Sequence, residues 1–177
     1  MITTKKKRSY THNPEPGKYW LYIIVFCDQS VYVGISKAIH YSKRWQNGKG
    51  YKNSEVMSKA IAKYGWESTN HLVNEVRYDT KEAAERAESN LVATFIMNGY
   101  SVLNTQKLPI YNVTKNAIYY SCVEAAKDLQ VPVSSVSKAL KGEYKTAGGC
   151  ELRRANREDL INGCHRYNVK GEFKYVD

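Results

Sequence analysis

Two short runs of aromatic and β-branched residues near the start of the chain constrain its fold most strongly. The first run extends from Tyr19 to Cys27 and the second from Val31 to Ile35, and only Asp28, Gln29 and Ser30 separate them. Aromatic and β-branched residues favour strands, and so short a connection suits an antiparallel pair. The sequence therefore predicts a β-hairpin close to the N-terminus.

Patterns typical of helices and strands alternate after this hairpin. Apolar residues recur three and four positions apart in three segments, and Gly65 and Asn98-Gly99 are typical helix stops. We expect helices over Ala38–Gln46, Ser54–Tyr64 and Lys81–Met97, a third strand over His71–Tyr78 and a short fourth strand over Tyr100–Leu103. The predicted fold class is α/β (α+β), with a small mixed sheet flanked by helices.

A second, smaller module follows. Val123 to Leu129 and Val133 to Lys141 have the spacing of two short helices, and Gln130-Val131-Pro132 supplies the turn between them. A strand over Ile110–Tyr120 precedes them, and a closing strand lies within residues 149–154. The predicted domains are a basic flexible arm (1–18), a first domain (19–106), a linker (107–110), a helix-turn-helix module (111–155) and a tail without clear periodicity (156–177).

The formal net charge of +10 favours a polyanionic partner, because each neutralised phosphate releases condensed counterions. Nucleic acid is the first candidate and an anionic membrane surface the second. The apolar run from Trp20 to Phe26 is far too short to span a bilayer, and no long apolar stretch follows the basic N-terminus. We therefore expect a cytoplasmic protein, in a bacterial or phage-infected cell, that does not bind membranes.

Four polar or ionisable side chains stand out in the first domain. Tyr22 and Tyr32 are ten residues apart across the predicted turn, so a hairpin brings their rings near each other. Arg44 follows on a predicted helix, and Glu88 lies on the long helix. Any one of them is typical of an ordinary surface or core position; their order and context point to a site.

These residues lie in segments that resemble the GIY-YIG nuclease family. The resembling segments, in chain order, are Trp20-Leu21-Tyr22, Tyr32-Val33-Gly34, Lys43-Arg44-Trp45, Lys59 to Gly65, Glu88 to Val92 and Gly99 to Asn104. Together they cover residues 19–106. Two positions depart from the family pattern: Trp20 replaces a glycine, and Ser101 stands where an asparagine often follows a tyrosine, so Asn104 is the candidate for that amide.

The resemblance implies a metal-dependent endonuclease that hydrolyses DNA phosphodiesters. Glu88 would hold one Mg²⁺ or Mn²⁺, and Arg44 would hold a phosphate oxygen in the transition state. Tyr22 would be the general base if the metal and Arg44 depress its pKa, and Tyr32 would orient the attacking water. Asn104 completes the expected catalytic set, and no small-molecule cofactor is expected.

Several further side chains are candidates for DNA contact. Near the predicted site these are Lys37, His40 and Lys43, with His40 one helical turn before Arg44. In the second module, which resembles the DNA-binding repeat attached to homing endonucleases, they are Ser134, Ser135, Ser137, Lys138, Lys141 and Lys145. Tyr144 could add a phosphate contact.

The preferred interpretation is a homing-type or related phage-encoded endonuclease that acts on double-stranded DNA as a monomer or transient dimer. A restriction-type endonuclease has similar chemistry. A DNA-binding regulator that no longer cuts is an alternative of another class. An RNA-binding protein is a third reading, although the helix-turn-helix pattern favours duplex DNA.

Overall fold

The computed structural model describes residues 16–104, 107–163 and 173–175. Helices and two antiparallel sheets confirm the α+β class. The described residues form two compact units, the first with residues 16–88, 101–103 and 173–175, and the second with 89–100, 104 and 107–163. No helix in these ranges is both long and apolar enough to cross a membrane. Most of the predicted basic arm lies outside them.

The predicted hairpin is confirmed. Strands β1 (Tyr19–Val25) and β2 (Val31–Ser36) pair antiparallel, and Tyr22 lies directly opposite Gly34. The turn is held by the Asp28 carboxylate, which accepts hydrogen bonds from the backbone N–H and the hydroxyl of Ser30 at 3.0 and 2.6 Å. An aspartate that bonds two residues ahead in this way fixes a tight turn.

The sheet of the first unit differs from the expected mixed sheet. Strands β3 (Asn70–Tyr78) and β7 (Phe173–Tyr175) extend it in the order β2-β1-β3-β7, and every pair is antiparallel. The strand predicted over residues 100–103 is reduced to one parallel bridge between Val31 and Val102. Only two backbone hydrogen bonds support it, from Val31 N–H to Ser101 and from Leu103 N–H to Val31.

Helix α1 (Tyr41–Trp45) is much shorter than predicted. At its start, the Ser36 hydroxyl accepts a hydrogen bond from the Ala38 N–H, which stabilises a loop rather than a helix cap. His40 is extended and precedes the helix. The helix ends because the next three residues, Gln46, Asn47 and Gly48, have positive φ angles. These residues begin the irregular 3₁₀ segment Gln46–Tyr51.

The other predicted helices of this region are confirmed. Helix α2 (Glu55–Tyr64) begins at Ser54, whose hydroxyl accepts the Met57 N–H, and it ends at Gly65 with a φ of 80°. A 3₁₀ turn, Trp66–Ser68, leads into β3. Helix α3 (Lys81–Met97) has the predicted bounds, and its first turn is capped by the Thr80 hydroxyl.

An aromatic cluster forms much of the core of the first unit. Several of its buried rings are packed edge to face or stacked, which are preferred geometries for aromatic pairs. Trp20, at the position of the expected glycine, is 0% exposed and donates its indole N–H to the Ala38 carbonyl at 3.0 Å. His71 stacks against both Trp45 and Trp66, with ring centroids 4.7 and 4.5 Å away. The buried cluster comprises Trp20, Tyr22, Ile24, Phe26, Tyr41, Trp45, Tyr51, Met57 and Val73.

The second unit contains a three-stranded antiparallel sheet. Strands β4 (Ile110–Asn112), β5 (Ala117–Tyr119) and β6 (Leu152–Arg154) are arranged in the order β5-β4-β6. The single strand predicted over residues 110–120 is therefore a hairpin. Asn112 causes the break, because its side-chain oxygen accepts the Lys115 N–H and closes a turn.

Two helices with the predicted helix-turn-helix spacing pack on this sheet. Helix α4 (Cys122–Leu129) is capped by Ser121 and ends at Gln130, which has a φ of 53°. Helix α5 (Val133–Leu140) follows Pro132. The shared core of the sheet and helices is small and apolar, and its buried members are Ile110, Tyr119, Ala125, Ala126, Val136, Ala139, Ala147, Cys150 and Leu152.

The predicted tail contains regular structure. Besides β7, it includes helix α6 (Arg157–Asn162), whose Leu160 is fully buried. The signal for this helix is a capping box: the Asn156 side chain accepts the Asp159 N–H, and the Asp159 carboxylate accepts the Asn156 N–H. Six residues are too few to show a helical period, so the cap was the signal that could have revealed it.

We expect Asn156→Ala to lower the free energy of unfolding of the second unit by about 1 kcal/mol, because the first turn of α6 loses its cap. Urea denaturation followed by circular dichroism measures this change. Glu158→Gln, at an exposed position in the same turn, is the control and should change stability by less than about 0.5 kcal/mol. Equal effects of the two variants would show that the cap adds nothing to stability.

Candidate active site

The ring of Tyr22 lies against the backbone of Gly34. These residues face each other across the hairpin, and a Cβ placed on Gly34 would be 2.4 Å from both Cζ and the hydroxyl oxygen of Tyr22. Real Cβ atoms do not approach other atoms so closely, so position 34 requires glycine while Tyr22 keeps this rotamer. The glycine of the Tyr32-Val33-Gly34 motif thus leaves the space that the Tyr22 phenol occupies.

Three phenols meet at this place. The Tyr51 hydroxyl donates a hydrogen bond to the Tyr22 hydroxyl at 3.0 Å. The ring of Tyr32 lies 6.3 Å from that of Tyr22 and 5.4 Å from that of Tyr51, centroid to centroid. Tyr51 was not predicted from the sequence. It lies in the 3₁₀ segment after α1, where no regular spacing relates it to Arg44.

Arg44 covers this group of phenols. Its guanidinium carbon is 4.6 Å from the ring centroid of Tyr51 and 5.6 Å from that of Tyr22. Its Nη1 donates to the Gly50 carbonyl at 3.3 Å. Gly50 is also required by space, since a Cβ there would be 2.2 Å from the Arg44 carbonyl oxygen. The kinked segment after α1 therefore folds back onto Arg44 and holds it over the rings.

Glu88 completes the cluster from helix α3. It is 2% exposed, and its negative charge raises the pKa of Tyr32, so the carboxylate lies within electrostatic range of that phenol. The structure thus brings Tyr22, Tyr32, Arg44 and Glu88 together within the first unit, from two strands and two helices. We call these four residues and Tyr51 the phenol–arginine cluster.

Burial opposes ionisation of the inner phenols. Loss of hydration raises the pKa of Tyr22 well above its ordinary value, the neighbouring phenols raise it further, and Arg44 lowers it by a smaller amount. Burial likewise raises the pKa of Tyr51. The expected depression of the Tyr22 pKa is therefore not found in the protein alone, because desolvation outweighs the guanidinium charge.

Tyr32 is in a different situation. It is partly exposed, and although burial and the Glu88 charge raise its pKa, Arg44 and hydrogen bonding from Tyr22 and Arg44 lower it. For Arg44, burial opposes the charge, but the three surrounding phenols raise the pKa and keep the guanidinium protonated. The outer part of the cluster thus holds a fixed cation and an accessible phenol beside a carboxylate.

The donor chemistry of Glu88 and Tyr32 suits a hard cation such as Mg²⁺, which accepts one protein carboxylate and keeps several waters. Glu88 is the residue that would hold it. Within the described ranges, no group of three His, Cys, Asp or Glu side chains is arranged to bind a metal.

The predicted DNA contacts near the cluster are exposed. Lys37 lies with its ammonium 5.2 Å from the ring centroid of Tyr19, and Lys43 is exposed on α1. His40 does not share a helix face with Arg44 as expected, because it precedes the helix in an extended conformation. It is exposed, so contact with a ligand is still open to it.

Asn104 is 4% exposed and belongs to the second unit, so its participation in the site stays a prediction. Ser101, the other residue considered for that position, is exposed, and its carbonyl accepts the Val31 N–H.

Most of the predicted DNA-binding residues of the helix-turn-helix module are exposed to solvent. Val136 is buried, as predicted. Leu140 is partly buried and packs against the core. The exposed candidates are Ser134, Lys138, Lys141 and Lys145, whereas Ser135 and Ser137 are partly buried.

We expect Gly34→Ala to destabilise the first unit by about 1–3 kcal/mol, because the new methyl group overlaps the Tyr22 ring. In a Tyr22→Leu background the same change should cost less than about 1 kcal/mol, since leucine lacks the overlapping atoms. Urea denaturation of the four proteins completes this double-mutant cycle. Equal costs in both backgrounds would refute the close approach as the reason for glycine.

Stability should fall in strong alkali, because phenols with raised folded pKa values bind protons more tightly in the folded state. The sign follows directly: their contribution is complete below the unfolded pKa near 10 and is lost as the pH rises towards the folded value. Tyr51→Phe removes one such phenol. It should make the decline between pH 10 and 11 shallower by about 1 kcal/mol per pH unit.

The measurement is the free energy of unfolding at several alkaline pH values. Tyr144→Phe, which removes an exposed phenol, is the matched control and should leave the slope of the wild-type protein unchanged. A Tyr51→Phe slope equal to that of the wild type would contradict the burial effect.

Comparison with known proteins adds no further assignment. A scan against models of protein families, a search of curated proteins and a search of solved structures each found no match to this chain.

Proposed function

We propose that the chain is a metal-dependent DNA endonuclease of the GIY-YIG type, most similar to homing endonucleases, with a restriction-type role as a variant of the same chemistry. The observation that carries the proposal is the convergence of Tyr22, Tyr32, Arg44 and Glu88 in one cluster. Residues from separate segments of the chain meet there. The first unit would then have the GIY-YIG fold.

Hydrolysis of a phosphodiester requires three contributions from the protein. A water molecule forms a new bond to phosphorus and loses a proton, while the bond from phosphorus to the 3′ oxygen breaks. The products are a 5′-phosphate and a 3′-hydroxyl, which takes up a proton. The protein must accept the water's proton, neutralise charge on the phosphate and favour departure of the 3′ oxygen.

Arg44 suits the second task. The surrounding phenols keep it protonated, and the bond to the Gly50 carbonyl leaves other guanidinium N–H groups for a phosphate. Because the cation is held before DNA binds, little reorganisation is needed as charge develops.

We assign the water-facing position to Tyr32. It is the more exposed of the two hairpin phenols, and it lies beside both Glu88 and Arg44. Tyr22 lies behind it, fully buried and in contact with Tyr51. In this state Tyr22 is a poor base, and its acceptance of a proton requires additional positive charge near the cluster.

A divalent ion held by Glu88 would supply that charge and would polarise the scissile phosphate. The carboxylate is suited to this role, because it lies on helix α3 and is almost fully removed from solvent. Glu88 supplies one hard oxygen donor, so waters and phosphate oxygens would complete the coordination.

The net charge of +10 and the exposed lysines of the helix-turn-helix module support duplex DNA as substrate. The module would bind DNA independently of the cutting chemistry. Binding and cleavage are therefore expected to respond to different substitutions.

A DNA-binding regulator without nuclease activity is the second candidate. The burial of Tyr22 and the raised pKa of its phenol favour it, since a base that stays protonated cannot accept a proton from water. The same fold would then serve DNA binding alone.

Plasmid cleavage with Mg²⁺ distinguishes the two candidates. We expect the wild-type protein to nick or cut the plasmid, and we expect Glu88→Gln to reduce the rate at least 100-fold while retarding duplex DNA as the wild type does. Glu85→Gln, three residues earlier on α3, is the matched control and should keep activity. Circular dichroism shows whether each variant is folded.

Metal-independent retention of intact duplex by the wild type would favour the regulator. Full activity of a folded Glu88→Gln protein would remove the assigned metal position. Preferential retention of single-stranded RNA would contradict both candidates.

A further inference from the structure

The outward face of helix α5 combines short hydroxyl and lysine side chains. Ser134, Lys138 and Lys141 are exposed, and their spacing of four and three residues places them on one side of the helix. The opposite side, with Val136 and Ala139, is buried in the core. This outward face is the part of the module that can enter a groove of DNA.

One lysine of this face is held by another side chain. The Lys138 ammonium lies 5.0 Å from the ring centroid of Tyr144 and 3.3 Å from its hydroxyl oxygen, to which it donates a hydrogen bond. Tyr144 is 46% exposed, so its ring is not part of the core. A large aromatic residue is thus kept at the surface beside a cation.

The backbone fixes this arrangement. Gly142 has a φ of 78°, which lets the chain reverse at the end of α5. The N–H groups of Glu143 and Tyr144 then both donate to the Lys138 carbonyl, at 2.9 and 3.3 Å. Tyr144 is therefore anchored to the same residue whose side chain it contacts.

Lys141 provides a contrast on the same face. Its ammonium has a distant ion pair with Glu143, at 4.0 Å, and both side chains are largely exposed. Such a lysine retains its rotamer freedom and acts as a mobile charge, which suits a phosphate. Lys138 instead has a defined direction, so less conformational entropy is lost when it makes a contact.

We propose that Lys138, positioned by Tyr144, contacts the major-groove edge of a guanine and sets a base preference of the second unit. The Lys138 ammonium donates one N–H to the Tyr144 hydroxyl, so two N–H groups remain for other acceptors. The major-groove edge of guanine presents two neighbouring acceptors, O6 and N7. This inference rests on the proposed binding of duplex DNA. Tyr144 is a positioning residue, whereas Lys138 makes the contact.

The test uses the full chain and a pool of duplexes with a randomised central segment, at fixed salt. Selection with the wild-type protein yields a preferred site, and every single-base variant of that site is then measured by fluorescence anisotropy. We expect one guanine whose replacement weakens wild-type binding about ten-fold.

Four variants separate positioning from charge. Lys138→Met should abolish discrimination at that guanine, and Tyr144→Leu should reduce it about three- to ten-fold although the lysine charge is kept. Tyr144→Phe should fall between Tyr144→Leu and the wild type, since the ring remains and the hydroxyl is lost. Lys141→Met, the matched control, should weaken binding to all duplexes similarly and lower the salt slope by about one.

Several results would overturn the inference. A wild-type site without such a guanine, or a folded Tyr144→Leu protein with unchanged discrimination, would refute it while leaving DNA binding intact. Equal weakening at every sequence by Lys138→Met would make Lys138 a phosphate contact. If the wild type retained no duplex at low salt, the proposed function would fail as well.

Discussion

The close approach between the Tyr22 ring and the Gly34 backbone governs the organisation of the first unit. Because the hairpin register places the two residues opposite each other, the ring can lie against the Gly34 backbone only where no side chain intervenes. The Tyr51 hydroxyl then bonds to the Tyr22 hydroxyl, the Arg44 guanidinium lies over both rings, and Arg44 in turn needs Gly50 to be small. Gly34 and Gly50 have no reactive side chain, yet the space that they leave determines where the Tyr22 phenol and the Arg44 guanidinium lie.

The same packing sets the electrostatic character of the cluster. Removal of the Tyr22 and Tyr51 phenols from water favours their neutral forms, while the aromatic faces and phenol oxygens favour the charged form of Arg44. The result is one cation surrounded by neutral phenols, with Tyr32 partly exposed and the Glu88 carboxylate buried near it. A polyanion that binds here would meet the guanidinium of Arg44, which is already charged. Acceptance of a proton by Tyr22 would depend on additional positive charge, such as that of a cation bound together with the polyanion.

The sequence predicted the parts of this structure that have strong local signals. The hairpin, helix α2 and helix α3 were foreseen, because apolar spacing and caps at Ser54 and Thr80 agree there. Predictions were wrong where short-range hydrogen bonds compete with periodicity: Ser36 stabilises a loop before α1, and Asn112 turns an expected strand into a hairpin. Tyr51 was not predicted: the Asn47-Gly48 pair indicates a break after α1, but it does not indicate that the chain returns Tyr51 to Tyr22. Of the candidate site, the four motif residues do converge, whereas the burial that raises the Tyr22 pKa emerges only from packing.

The arrangement of the tryptophans has a practical consequence. The chain has three, and Trp20, Trp45 and Trp66 all lie in the aromatic region of the first unit, with His71 stacked against two of them. Indole emission therefore reports on that unit alone, and the second unit is silent in this signal. Unfolding of the two units can thus be followed separately in the unmodified protein, by emission for one and by backbone ellipticity for both.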